Sequence, residues 1–337
     1  MKILYLTNMY PREYGDYFGI FIKKELEELR KLGFVVDYIF VNGRRSKINY
    51  LSIFNILSSM KESYDLVNVN HSLLLPHALF AKKILSLNVP IVFTLHEGEL
   101  SYNLKSENIL HRLAYSKLWR KPLLQQVDLI ITKNKEILKN LGDNIKSVEI
   151  SSAVDTEIFK PIKKEEAKNK LDIKNNELVM FFPADKNRLT KNYNFIEKLL
   201  PGIIKKLGKN VLLIAGPKPS KKMVWYYNAA DVVIFPSLYE CSPVVIKEAM
   251  ACNIPIVASN VGDISRVFGN TKGCFVIEGW DEEIYIDKIV EAIKLKISEG
   301  RKRIFDLGYD WSQTAKKISD ALLQCYKNYE IKYLKVS

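Results

Sequence analysis

The chain has 337 residues, a formal net charge of +13, 47% hydrophobic and 26% charged residues. That length exceeds one ordinary core and suits two domains, and the composition excludes the disordered and fibrous classes. The positive excess, +6 over residues 1–150 and +7 over the rest, favours anionic ligands such as nucleotides, acidic lipid or nucleic acid without choosing among them.

The first apolar run, Ile3–Leu6, is short and ends at Thr7 and Asn8, so no export signal is expected. The longest apolar stretch, residues 73–95, is interrupted by Pro76, Lys82, Lys83 and Pro90 and reads as a helix and a strand, not a membrane span. A cytoplasmic protein is the expectation. Cys241, Cys252, Cys274 and Cys325 show no C-x-x-C spacing, which argues for reduced thiols and against a zinc site.

In chain order, a strand is predicted at Lys2–Leu6, then a loop carrying Gly15 and Gly19 just ahead of a helix. Glycine there lets backbone approach a phosphate, although no G-x-G-x-x-G is present. Ile22, Leu26 and Leu29 recur at helical spacing and Gly33 closes that helix. Further strands are predicted at Val35–Val41, Asp65–Asn70, Pro90–Leu95 and Asp128–Thr132. His71 and His96 each follow a strand, at the edge where open α/β sheets bind ligands, with a capping or core role the blander reading for His71. Residues 44–61, basic and then apolar, fit either a helix packed on the sheet or a peripheral contact with an anionic membrane.

Periodicity pauses at Ser151–Lys164 and resumes with strands Leu178–Pro183, Asn210–Ala215, Asp231–Phe235, Ile254–Ala258 and Gly273–Ile277. The expected architecture is two Rossmann-like α/β domains with parallel sheets facing a cleft, residues 1–155 and 156–310. A closing helix, residues 311–337, is longer than the second sheet needs and is expected to pack toward the first domain.

Residues 225–267 carry the most chemistry. After the strand Asp231–Phe235 comes a polar loop, then a helix opened by Ser242 as N-cap and Pro243 in its first turn, so that the amides of Val244 and Val245 face the carboxyl edge of the sheet. Such a helix start suits a diphosphate. Glu240 in the loop and Glu248 in the second turn offer carboxylates to paired hydroxyls, with a solvated helix face as the bland alternative for Glu248. Arg188 and Lys191, after the strand ending at Pro183, place two cations at the sheet edge, where they suit an anionic ligand, with a solvent-facing basic turn as the bland alternative.

Ser237, Glu240, Pro243, Glu248, Ala249, Met250, Ala251, Pro255 and Ile256, followed by Val261 and Gly262, resemble the E-x7-E motif of the GT-B glycosyltransferases of group 1, glycosyltransferase family 4. The resemblance implies that Glu248 binds the nucleotide ribose, that Glu240 lies beside the donor sugar, and that Cys241, Ser242, Pro243 and Val244 contact sugar and phosphate. It implies that Arg188 and Lys191 hold the diphosphate, that His96 approaches the donor sugar and that Gly19 lies near donor phosphate and acceptor. Cys241 stands where the family has glycine, which would be costly if the loop required a positive φ.

No Asp-x-Asp pair occurs and His71, His77, His96 and His111 lack metal-ligand spacing, so no metal cofactor is expected. The implied activity is retaining transfer of a sugar from a nucleotide-diphosphate sugar to a glycan or lipid-linked acceptor. The rivals are a nucleotide-sugar epimerase on the same fold, and a non-catalytic binding protein. Nucleic acid is not expected, since no aromatics interleave with Lys or Arg on one sheet face.

Overall fold

The computed structural model describes residues 1–11, 19–42, 63–96, 122–135, 146–216 and 220–334. Gly15, His111 and the basic-apolar stretch 44–61 lie outside the described residues. The chain divides into two compact units, Met1–Ser151 with Ser312–Ser337, and Ser152–Trp311.

The first unit holds six parallel strands: β1 (Lys2–Thr7), β2 (Val35–Phe40), β3 (Leu66–Val69), β4 (Ile91–Leu95), β5 (Leu129–Thr132) and β6 (Ser147–Glu149). Their order is β2-β1-β3-β4-β5-β6. Every residue of β3 and β4 is buried, as a parallel sheet covered on both faces demands of its central strands. Helix α1 (Ile20–Lys31) turns Ile22, Leu26 and Leu29 inward, and Gly33, at φ 89°, turns the chain back toward β2. Helix α2 (Leu75–Ile84) precedes β4.

The second unit opens with α3 (Lys164–Lys170) and holds β7 (Leu178–Phe182), α4 (Tyr193–Leu207), β8 (Val211–Ala215), α5 (Ser220–Ala229), β9 (Val232–Phe235), α6 (Val244–Ala251), β10 (Ile256–Ser259), α7 (Ile264–Phe268), β11 (Cys274–Ile277), α8 (Glu282–Leu295) and α9 (Gly300–Leu307). Its five parallel strands run β11-β10-β9-β7-β8. The order reverses between β7 and β9, and open α/β sheets bind ligands outside the carboxyl ends of the strands at such a reversal. Val154 joins this unit because its N–H donates to the Tyr309 carbonyl at 2.9 Å.

The final helix, α10 (Trp311–Leu334), places Ile318, Leu322 and Cys325 in the core of the first unit beside Ile3, Tyr5, Ile22 and Leu26. Beyond the strands expected from sequence, the structure adds β6, a three-residue edge strand paired to β5.

Candidate functional site

The site in the second unit lies at that reversal of strand order. From the end of β7 the chain runs into a short 3-10 turn, Leu189–Lys191, and from the end of β9 it runs through Pro236 to Glu240. The two segments are tied together: the Leu238 N–H donates to the Thr190 carbonyl at 2.8 Å, and the Lys191 ammonium is ion-paired and hydrogen-bonded to Glu240 Oε1. Both side chains are largely withdrawn from solvent, at 14% and 12% exposure, so water screens the pair weakly. The Phe235 ring lies 5.3 Å from the Lys191 ammonium and adds a cation–π contact. Arg188 opens the same 3-10 turn but is exposed, and among the described residues it has no ion-pair partner.

Helix α6 begins directly after this loop, and here the structure corrects one expectation. Ser242 is not the N-cap. The cap position belongs to Pro243, no side chain caps the first turn, and the Ser242 hydroxyl is turned sideways, donating to Asp263 Oδ2 at 2.7 Å and accepting from Lys247 Nζ at 2.6 Å. A buried ion pair one turn further on outcompetes the helix amides for that hydroxyl. The first-turn amides of half-buried Val244 and Val245 therefore keep their donor capacity for a ligand, with the positive end of the helix dipole behind them.

Cys241 is buried and is absent from the positive-φ residues, so the cost feared for a non-glycine residue at that position does not arise. The close approach falls instead at Gly262. Its φ is 62°, and a Cβ there would come within 2.6 Å of the Cys241 carbonyl oxygen and 2.9 Å of the Glu240 carbonyl oxygen. Glycine at 262 is what lets the loop after β10 lie directly against the Glu240 loop.

Glu248, four residues into α6 from Val244, is half-buried and not the solvated residue of the bland reading. Its Oε2 accepts a hydrogen bond from the Tyr227 hydroxyl at 2.7 Å. Burial pushes the Glu248 carboxyl up to about 7, against the opposing pull of that hydrogen bond. Tyr227 is fully buried and packs edge-on against Phe181 and Phe159. Sequence reasoning singled out none of Tyr227, Lys247 and Asp263. The signal for Lys247 was present, since a lysine inside the apolar run VVIKEAMA interrupts the inward face of a buried helix.

In the first unit, Gly19 and His96 lie beside one carboxyl edge. Gly19 is the N-cap of α1 at φ 75°, and an added Cβ would collide with the backbone of Met9 and Tyr10, so close packing on the loop after β1 already requires glycine there. His96 follows β4. Its Nε2 donates to Asn70 Oδ1 at 2.7 Å and its ring meets Phe21 at 5.0 Å between centroids. Burial first, then the positive charge of Lys133, holds the His96 imidazole well below its usual range, so it is neutral at physiological pH. His71 caps the 3-10 turn Ser72–Leu74 by accepting from the Leu73 N–H at 3.2 Å.

Two family models match the chain: that for glycosyl transferases group 1 over residues 197–311, and that for glycosyltransferase family 4 over residues 19–158. Among curated proteins, a D-inositol 3-phosphate glycosyltransferase of Corynebacterium urealyticum is 30% identical over 110 residues, 30% of this chain and 25% of that protein. A protein of the same name from Streptosporangium roseum is 22% identical over 275 residues, 69% of this chain and 63% of that protein. The aligned stretches thus span from a quarter to under two thirds of these two relatives.

Among solved structures, HepE from Anabaena in complex with UDP-glucose superposes with a TM-score of 0.71 at 16% identity, covering 96% of this chain and 100% of that one. Sucrose-phosphate synthase from Thermosynechococcus elongatus superposes with a TM-score of 0.68 at 18% identity, covering 97% and 99%. The motif through Glu240 and Glu248, the two family models and the fold agree: the chain belongs to the group 1, family 4 glycosyltransferases and has their GT-B fold.

Proposed function

We propose that the protein is a retaining, metal-independent glycosyltransferase that moves a sugar from a nucleoside diphosphate sugar to a hydroxyl of a glycan or lipid-linked acceptor. The observation that carries this reading is the Lys191–Glu240 pair at the strand reversal, next to a helix start that no side chain caps. In this reading Lys191, Arg188 and the Val244 and Val245 amides receive the diphosphate as it departs with the electron pair of the anomeric bond. The acceptor oxygen bonds to the anomeric carbon on the same face, and its proton leaves with the diphosphate. Each charged hydrogen bond contributes on the order of 1.5–3 kcal/mol. Two cations and a helix terminus together thus supply the charge that a metal ion provides in other sugar transferases.

Glu248 would accept from the ribose hydroxyls through Oε1, since its Oε2 is held by Tyr227. Neutral His96, its Nε2 committed to Asn70, would offer Nδ1 to a ligand at the carboxyl edge of the first sheet. The complex of HepE with UDP-glucose supports a nucleotide-sugar donor. No helix among the described residues is long and apolar enough to cross a membrane.

The test is release of nucleoside diphosphate from a panel of nucleotide sugars, after a melting-temperature screen with UDP, GDP and ADP to choose the nucleotide. Turnover should require an added acceptor and should fall at least tenfold in Glu240→Ala. Undiminished turnover in that variant removes Glu240 from the site, and no stabilisation by any of the three nucleotides removes the donor reading.

A further inference from the structure

Behind the donor loop lies a cluster of charges that touches nothing in the proposed reaction. Lys247, on α6 one residue before Glu248, and Asp263, where α7 begins, each keep only 1% of their side-chain surface exposed, and their Nζ and Oδ2 atoms are 3.5 Å apart. The Ser242 hydroxyl bridges them, at 2.7 Å from the carboxylate and 2.6 Å from the ammonium. The Tyr309 ring lies 5.2 Å from Lys247 Nζ, and Arg266 reaches both Asp263, at 3.8 Å, and the Tyr309 hydroxyl, at 3.3 Å.

Burying two charges is unfavourable, and apolar side chains of similar volume commonly fill such a place as stably. Asp263 also stands at the N-cap position of α7, where a carboxylate normally accepts from first-turn amides, yet it makes no capping bond. The two buried charges share one neutral hydrogen-bond partner, the Ser242 hydroxyl. Ser242 is the residue between Cys241 and the proline that starts α6, so whatever holds it sets how the Glu240 loop enters the helix.

We propose that Lys247 and Asp263, acting through Ser242, are positioning residues that hold the segment Glu240–Val245 in the conformation that meets the donor diphosphate. This rests on the donor-site reading above. The loop is then pinned at three places: at Glu240 by Lys191, at the Glu240 and Cys241 carbonyls by the close approach of Gly262, and at Ser242 by the buried pair. The first two pins act on the loop, while the third alone orients the peptide that leads into the helix tip. A pair serving stability only would leave the exchange behaviour of the loop unchanged when its charges are removed together.

The test compares wild type with Lys247→Met/Asp263→Asn, which removes both charges at once, and with Ser242→Ala and Ser242→Thr, which remove and retain the bridging hydroxyl. The readout is amide hydrogen exchange of the full chain without ligand, followed by the KM and kcat of nucleotide release. We expect exchange across residues 239–245 to rise at least tenfold in the double variant and in Ser242→Ala, with β9 and β10 unchanged and Ser242→Thr like wild type. We expect KM for the donor to rise and kcat to fall in the same two variants. Wild-type exchange rates at residues 239–245 in Ser242→Ala would overturn the proposal, even if the double variant fails to fold. The exchange arm uses no nucleotide, so it decides positioning separately from the melting screen that decides the donor reading.

Discussion

The carboxyl of Glu248 sits at about 7, raised from 4.5 by burial, and this ties donor affinity to pH in a way the sequence alone does not suggest. A ribose diol donates hydrogen bonds, so the donor should favour the ionised carboxylate. The ionised fraction is about half at pH 7, about a tenth at pH 6 and about nine tenths at pH 8, so the Kd should weaken about tenfold from pH 8 to pH 6, or ~1.4 kcal/mol. Folding runs the other way. The folded state prefers the proton, so the stability tied to Glu248 is complete below about 4.5 and is lost as pH rises through about 7, by about 3 kcal/mol. The free protein should thus lose melting temperature from about pH 4.5 until the slope fades above about 7, a window that overlaps the one in which the donor gains affinity. Calorimetric titration with a nucleotide sugar at pH 6, 7 and 8 reads the effect, because its diphosphate is esterified at both ends and has no proton to lose there. Tyr227→Phe removes the hydrogen bond that stabilises the carboxylate and should move the midpoint upward. Glu248→Gln should bind weakly and without pH dependence. A flat wild-type profile, or the same slope in Glu248→Gln, would refute the reasoning.

Two further substitutions separate charge from geometry. Lys191→Met removes one charged contact to the departing diphosphate and should cost about 1.5–3 kcal/mol in kcat/KM, roughly 10- to 150-fold, read by nucleotide release. It also strands Glu240 at a largely buried position, so a lower melting temperature should accompany the loss. Gly262→Ala places a Cβ against the Cys241 carbonyl at a left-handed φ, and should destabilise by about 1–3 kcal/mol as well as slow turnover. Retained stability and turnover in that variant would show that the loops after β9 and β10 do not need their close approach.

Much of this was legible in the residues because the strong signals were periodic or local. Within the expected strands Leu178–Pro183 and Asp231–Phe235, Leu178–Phe182 and Val232–Phe235 are continuous apolar segments, as central parallel strands must be, and both appear as strands. Ser147–Glu149 was not legible, since three residues at a sheet edge bury too little to leave a pattern. Around the candidate site, residue types pointed to Glu240, Glu248 and Lys191, but their partners did not show. That Lys191 meets Glu240 and that Tyr227 meets Glu248 are facts of tertiary register, set by strands and helices 49 and 21 residues apart in the chain. The Ser242 capping expectation failed for the same reason: an N-cap is a local preference, and a buried partner brought in from Asp263 overrides it.

That failure also explains the helix tip. A binding site for a diphosphate needs backbone donors without protein partners, whereas a stable helix start wants them capped, at a value of about 1 kcal/mol. The sequence around α6 resolves the conflict against stability. Proline at 243 has no N–H to satisfy, and the serine beside it, the best local candidate for a cap, is drawn away by a buried lysine and aspartate. Asp263 forgoes capping its own helix in the same arrangement. Local rules are broken where function asks for unsatisfied groups. At the start of α6 the break leaves donors that an anionic ligand would satisfy, while the surrounding loop is held by an ion pair and a glycine contact. A loop merely tolerated by the fold would have kept its serine cap. The diversion of that cap into a buried charged cluster leaves the first-turn amides of α6 open, which is what the proposed diphosphate site requires.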